Sequence, residues 1–120
     1  MNLATVEIKA FVPALDMQQS LAFYAALGFS IPWCSPELAY VHRGHTSFLL
    51  QQIADAAQAP TCRMHLLVEN VDDWYAHALA SAPVRACNPH LPPPAERPWG
   101  MRDFILTDPA GVVWRIGQNL

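Results

Sequence analysis

The sequence predicts an α+β fold in which one strand-helix-strand-strand-strand unit is used twice. Three features point to it: short stretches with the period-two alternation of half-buried strands, two stretches with the stripe of a surface helix, and the same order of elements in both halves. A chain of 120 residues holds one domain with a real core, so 1–120 is read as a single domain, module one covering about 1–58 and module two about 59–120.

Thr5 to Val12 alternates as the opening strand. Asp16 then starts a helix, with Gln19 as its capping-box partner and Leu21, Tyr24 and Leu27 as its apolar stripe, and Gly28 stops it. Phe29 to Cys34, Leu38 to His42 and Thr46 to Gln52 follow as strands, the last two joined by a turn at Arg43-Gly44. After an alanine-rich loop ending at Pro60, Cys62 to Glu69 opens the second unit. A helix begun by Asp72 carries Trp74, Tyr75, Ala78 and Leu79 and ends before Pro83; Val84 to Cys87, Met101 to Thr107 and Val112 to Gly117 are the remaining strands. Val12 and Val68 are as far apart as Asp16 and Asp72, and Phe29 and Val84 depart from that spacing by one residue, as a duplicated module would leave them.

Two segments near the C-terminal end carry the strongest local signals. Asp108-Pro109-Ala110-Gly111 is a tight-turn sequence, because proline presets one dihedral and glycine accepts a positive one, so the flanking strands form a hairpin. Pro89, Pro92, Pro93, Pro94 and Pro98 exclude a regular helix or an inner strand and leave a stiff extended loop, a rigid connector or a lid, that delivers Trp99 to the hairpin's mouth. The amphipathic Trp99 ring either packs structurally or covers a cavity and stacks on a flat ligand.

Alternation assigns the strand faces. Val6, Ile8, Ala10 and Val12 share one side of the first strand, as do Cys62, Met64, Leu66 and Val68 in the fifth and Val112, Trp114 and Ile116 in the last; these sides are expected under the helices. The opposite side displays Glu7, Lys9, Arg63, His65 and Arg115, which must be solvated, paired or bound to something. An ion-paired or exposed sheet face is one reading, and a concave, water-filled binding face is the other.

Composition narrows the partners. Only 14% of residues are charged and the formal net charge is −3, which argues against a nucleic-acid footprint. There is no signal-peptide pattern and no apolar run of membrane-spanning length, so a cytoplasmic protein without a membrane partner is expected. Cys34, Cys62 and Cys87 form no Cys-x-x-Cys pair and read as reduced thiols, small residues of the core. His42, His45, His77 and His90 have no evident set of co-ligands.

Ser20-Leu21-Ala22-Phe23-Tyr24 with Leu27-Gly28-Phe29, and Pro98-Trp99-Gly100 leading to Asp108-Pro109-Ala110-Gly111, resemble the vicinal oxygen chelate (VOC) superfamily of glyoxalase I, extradiol dioxygenases and bleomycin resistance proteins. The resemblance covers nearly the whole chain and lies nearest the bleomycin resistance branch. It implies a cup-shaped, incompletely closed mixed sheet with helices on the outer face. It further implies a homodimer whose cups combine modules of both chains, with a tryptophan, here Trp99, binding a flat heteroaromatic part of the ligand. Metal-dependent members of the superfamily supply His, Gln or Glu from four inward strand positions. The matching positions here give Lys9, an open register between Ser47 and Gln52 with Gln51 or Gln52 as best donor, Arg63 with His65 one step along, and Arg115. Fixed positive charge repels a divalent cation, so no metal or other cofactor is expected.

The resulting expectation is a metal-free small-molecule-binding protein that sequesters its ligand with no bond made or broken. Trp99, Arg102, Glu7, Lys9, Arg63, His65 and Arg115 are the candidate ligand-binding residues, and no residue is assigned as catalytic. Lys9, Arg63 and Arg115 against Glu7 favour an anionic or neutral ligand over a cationic drug. The alternatives are a divalent-metal-dependent lyase, isomerase or dioxygenase using Glu7, Gln52 and His65, and cofactor-free acid-base chemistry by His65 with Glu7.

Overall fold

The computed structural model describes residues 1–57 and 62–120; the expected module boundary near 58 falls outside the described residues. Module one contains β1 (Phe11–Ala14), α1 (Met17–Leu27), β2 (Ser30–Cys34), β3 (Leu38–Arg43) and β4 (Thr46–Gln52). Module two contains β5 (Arg63–Leu67), α2 (Val71–Ala80), α3 (Ala82–Cys87), β6 (Ala95–Arg97), β7 (Met101–Thr107) and β8 (Val113–Asn119). Each module builds a four-stranded mixed sheet, ordered β1-β4-β3-β2 in the first and β5-β8-β7-β6 in the second. In both, the opening strand runs parallel to the last and the other pairs are antiparallel. The repeat read from the sequence is therefore a repeat of topology.

Local chemistry explains the helix ends. The Asp16 carboxylate accepts the Gln19 N–H at 3.2 Å, and Gly28 closes α1 at φ 115°, a left-handed conformation suited to glycine. The second helix is capped two residues before the expected Asp72. Asn70 is the cap, accepting the Asp73 N–H at 3.0 Å, and Asp72 and Asp73 lie in the first turn, where the helix dipole favours negative charge.

Two strand assignments are corrected. Val84 to Cys87, expected as a strand, lies in α3: Pro83 sits in its first turn, where a missing N–H removes no hydrogen bond, and Asn88 ends it. The strand that takes its place is β6, a three-residue edge strand inside the proline-rich loop, paired with β7. The opening strand is the second correction, since only Phe11–Ala14 pairs with β4. The chain before it leaves the sheet as an arm, so Val6 and Ile8 are 99% and 94% exposed instead of lying beneath a helix, and only Val12 of the expected apolar set reaches the core.

The helix-facing sides of the sheets share one core. Tyr24, Phe29 and Phe48 of module one pack edge-on or tilted against Trp114 of module two, with centroids 5.1 to 6.2 Å apart. At its centre the Tyr24 hydroxyl accepts the Trp114 Nε1–H at 2.8 Å and donates to Asp108 at 2.5 Å. Asp108 also accepts the Ala110 and Val112 N–H groups, which closes the β7–β8 turn with Gly111 at φ 90°. Burial pushes the Asp108 carboxyl up from its ordinary value against these hydrogen bonds, and burial also raises the Tyr24 phenol. The cysteines are less buried than expected. Cys34 is exposed at the end of edge strand β2, and Cys62 and Cys87 are half-buried, their thiols raised by burial and then by Asp108.

Candidate functional site

Strand register fixes which side chains share the open face of the second sheet. Directly paired residues lie on one side, so Arg97 with Met101, Ile105 with Arg115, and His65 with Arg115 face the same way. Asp103 belongs to this face and is fully buried beneath two guanidinium groups. Its Oδ1 accepts from Arg97 Nε at 2.8 Å and its Oδ2 from Arg115 Nη1 at 2.9 Å. Burial alone would raise the Asp103 carboxyl, but Arg115 and Arg97 outweigh it and hold the group below the ordinary range.

Trp99 stands over this ion-paired floor. Arg97 and Met101 bound the β6–β7 hairpin; Gly100, at φ 81°, donates its N–H to the Arg97 carbonyl at 3.1 Å and accepts the Leu120 N–H at 3.0 Å. The turn holds the Trp99 ring 63% exposed, with the Arg115 guanidinium 5.9 Å from its centroid. Beside them Met101 lies across Gly117, where an added Cβ would sit 2.8 Å from the sulfur, and His65 Nε2 approaches the same sulfur at 3.3 Å. Arg63 is exposed on the His65 side of β5.

Arg102 lies on the other face. Alternation turns it toward the helices, where its Nη2 meets Asp72 of α2 at 2.8 Å, so it does not join Trp99 and Arg115.

Glu7 and Lys9 form a second group on the open face of the first sheet. Glu7 accepts from Lys9 Nζ at 2.8 Å, from the Tyr40 hydroxyl at 3.1 Å and from Ser47 Oγ, and Lys9 Nζ is 5.4 Å from the Tyr40 ring centroid. The Lys9 and Ser47 contacts lower the Glu7 carboxyl to about 2. Trp33 shares this side of the sheet, paired across from Tyr40. Among the described residues no hydrogen bond or ion pair joins Glu7 or Lys9 to His65, Arg63 or Arg115.

Gln52 is committed elsewhere. Its Oε1 accepts the Met17 N–H at 2.9 Å and its Nε2 donates to the Leu15 carbonyl at 2.6 Å, which binds the start of α1 to β4. Among the described residues no three His, Cys, Asp or Glu side chains converge. Lys9, in the arm before β1, and Arg63 and Arg115, on β5 and β8, are cations that do not fit a divalent ion.

The sequence reading missed Arg97, Met101, Asp103, Tyr40 and Ser47. Asp103 and Met101 were accessible by alternation along β7, whereas Arg97 was hidden because its strand is three residues long inside a proline-rich segment.

A hollow of about 270 Å³ opens between the modules, lined by Phe29, Ser47, Phe48, His65, Leu67 and Trp114 among others. No described helix is long and apolar enough to cross a membrane.

Residues 8–116 match the family model of the Glyoxalase/Bleomycin resistance protein/Dioxygenase superfamily. No curated protein sequence matches the chain. Among solved structures, a bleomycin-binding protein complexed with bleomycin superposes with a TM-score of 0.81 at 22% identity, covering 97% of this chain and 100% of that one. A bleomycin resistance determinant encoded on the transposon Tn5 gives 0.80 at 23% identity, covering 96% and 98%. A lactoylglutathione lyase from Agrobacterium tumefaciens gives 0.71 at 17% identity, covering 96% and 94%. At these identities the likeness establishes the fold, which here serves a binding protein and an enzyme alike.

Proposed function

Since the chain belongs to the Glyoxalase/Bleomycin resistance protein/Dioxygenase superfamily, we propose that it is a metal-free, cytoplasmic small-molecule-binding protein that sequesters a flat ligand in a cup at a homodimer interface. The observation that carries this reading is the Trp99 ring, held open on a fixed hairpin above the Asp103 ion pairs. An exposed aromatic on a constrained turn offers a stacking surface with little ordering cost. Similarity to a bleomycin-binding protein in complex with its drug supports the same class of role. Arginine at the position matching a metal ligand of the superfamily's enzymes, and Gln52 used to hold α1, favour binding over metal-assisted turnover.

The dimer is supported by the arm. Because β1 pairs with Leu49 to Gln52 alone, the Thr46–Phe48 stretch of β4 has no parallel neighbour from its own arm and borders the hollow of about 270 Å³. Val6 and Ile8 are the apolar side chains such a slot requires, and a second copy can supply them reciprocally through a two-fold axis.

Equilibrium dialysis against a panel of flat heteroaromatics, bleomycin included, tests the reading. Binding of one ligand per chain, unchanged by exhaustive chelation and weakened at least about tenfold in Trp99→Ala, is expected for a hot-spot aromatic. Stoichiometric metal in the purified protein, with chelation abolishing turnover of a hemithioacetal or catechol, would overturn it.

A further inference from the structure

We infer that Arg97 and Arg115 form an anion subsite beside Trp99, so that the ligand is a flat aromatic carrying a carboxylate or comparable oxyanion. This rests on the reading of Trp99 as the stacking surface and adds the chemistry of the group next to it. Asp103 is wholly buried and bonds each guanidinium through one nitrogen only, Nε of Arg97 and Nη1 of Arg115. A guanidinium carries five N–H donors. Among the described residues neither arginine makes a further side-chain hydrogen bond, and their side chains are 33% and 36% exposed. Two arginines against one carboxylate leave one uncompensated positive charge with unused planar donors on the open face.

Such a pair is pre-arranged for an oxyanion. Asp103 acts as a positioning residue: it fixes both forks from below, so little side-chain ordering remains for the ligand to impose. The Arg115 guanidinium lies 5.9 Å from the Trp99 centroid, which joins the stacking surface and the charge in one patch. The cation there also opposes a second cation approaching the free side of the ring. Glu7, the nearest candidate counter-charge by sequence reading, is engaged by Lys9, Tyr40 and Ser47 on the other sheet.

Isothermal titration with 1-naphthoate, 1-naphthamide and sulfate tests this. The naphthoate is expected to bind about tenfold or more tightly than the isosteric amide, as a charge-assisted pair of hydrogen bonds predicts. Arg97→Gln should abolish that preference, bringing the affinity for the carboxylate down to that for the amide. Because Arg115 still pairs with Asp103 in that variant, folding is retained, and the far-ultraviolet spectrum checks it. Arg97→Lys, which keeps charge and loses the planar fork, should recover only part of the preference. Equal affinity for carboxylate and amide, or a preference that survives Arg97→Gln, would overturn the subsite and leave the stacking reading standing. Sulfate bound with neither naphthalene retained would instead overturn the stacking reading, and with it the aromatic-anion assignment.

Discussion

Tyr24 of α1 and Asp108 of the β7–β8 turn are joined by a buried 2.5 Å hydrogen bond that links the two modules through a side chain from each. The same hydroxyl accepts from Trp114 at 2.8 Å, so one oxygen serves two partners. Tyr24→Phe removes it and leaves a buried indole N–H and a buried carboxylate oxygen each short of a partner. The variant should be about 1–3 kcal/mol less stable, the desolvation cost of unsatisfied buried groups, in urea unfolding. A midpoint unchanged from the parent would show that water replaces the phenol.

Gly117→Ala tests the packing of the open face. The new Cβ falls 2.8 Å from the Met101 sulfur and 3.2 Å from Asp103 Cβ, so Met101 must swing away and release His65. A loss of about 1–3 kcal/mol is expected from overpacking, with a shift of the Met101 methyl resonance. An unperturbed methyl signal would place the thioether elsewhere.

The Glu7 contacts have a defined pH window. The folded-state value of about 2 lies below the unfolded 4.5, so their contribution is fully present above 4.5 and is lost as pH falls through about 2. Carbon-detected titration of the Glu7 carboxyl should therefore give a midpoint near 2, moving upward in Lys9→Met. A midpoint at the ordinary carboxylate value would mean that the arm does not hold Glu7 against Ser47 and Tyr40.

Substituting the arm separates folding from association. Val6 and Ile8 are exposed in the single chain, so Val6→Asp with Ile8→Asp should leave the chain's own fold intact, surface changes usually costing within about 0.5 kcal/mol. Sedimentation is expected to give a dimer for the parent, as proposed, and a monomer for the variant. A dimer that persists at micromolar concentration would remove the arm from the interface.

Much of this molecule was legible because period-two alternation and capping chemistry are local. β4 and β7 begin and end where alternation put them, Gly28 and Asp16 bound α1, and Arg115 and His65 share the open face. Non-local effects hid the rest. Val84 to Cys87 has strand-like residues, yet Ser81, Pro83 and Asn88 bracket it as a helix turn, and the strand it displaced reappears as three residues among prolines. Arg102 is next in sequence to Asp103 but on the opposite face, since adjacent strand residues point apart. No local pattern announced that the chain before Phe11 would leave the sheet, because departure depends on what fills the slot.

The seam around Gly28 has a consequence for ligand capture. Arg43 donates to the Gly28 carbonyl at 2.7 Å while stacking on Trp74, and the His77 ring nitrogen meets the Ala26 carbonyl at 2.9 Å, so two side chains, one from each module, stitch the end of α1 to α2. That stitch and the shared aromatic core hold the two modules together at both the helix layer and the sheet layer. On the proposed reading, a guest stacked on Trp99 would require no rearrangement between the two modules of its own chain, and its residence time would be set by the contacts it makes.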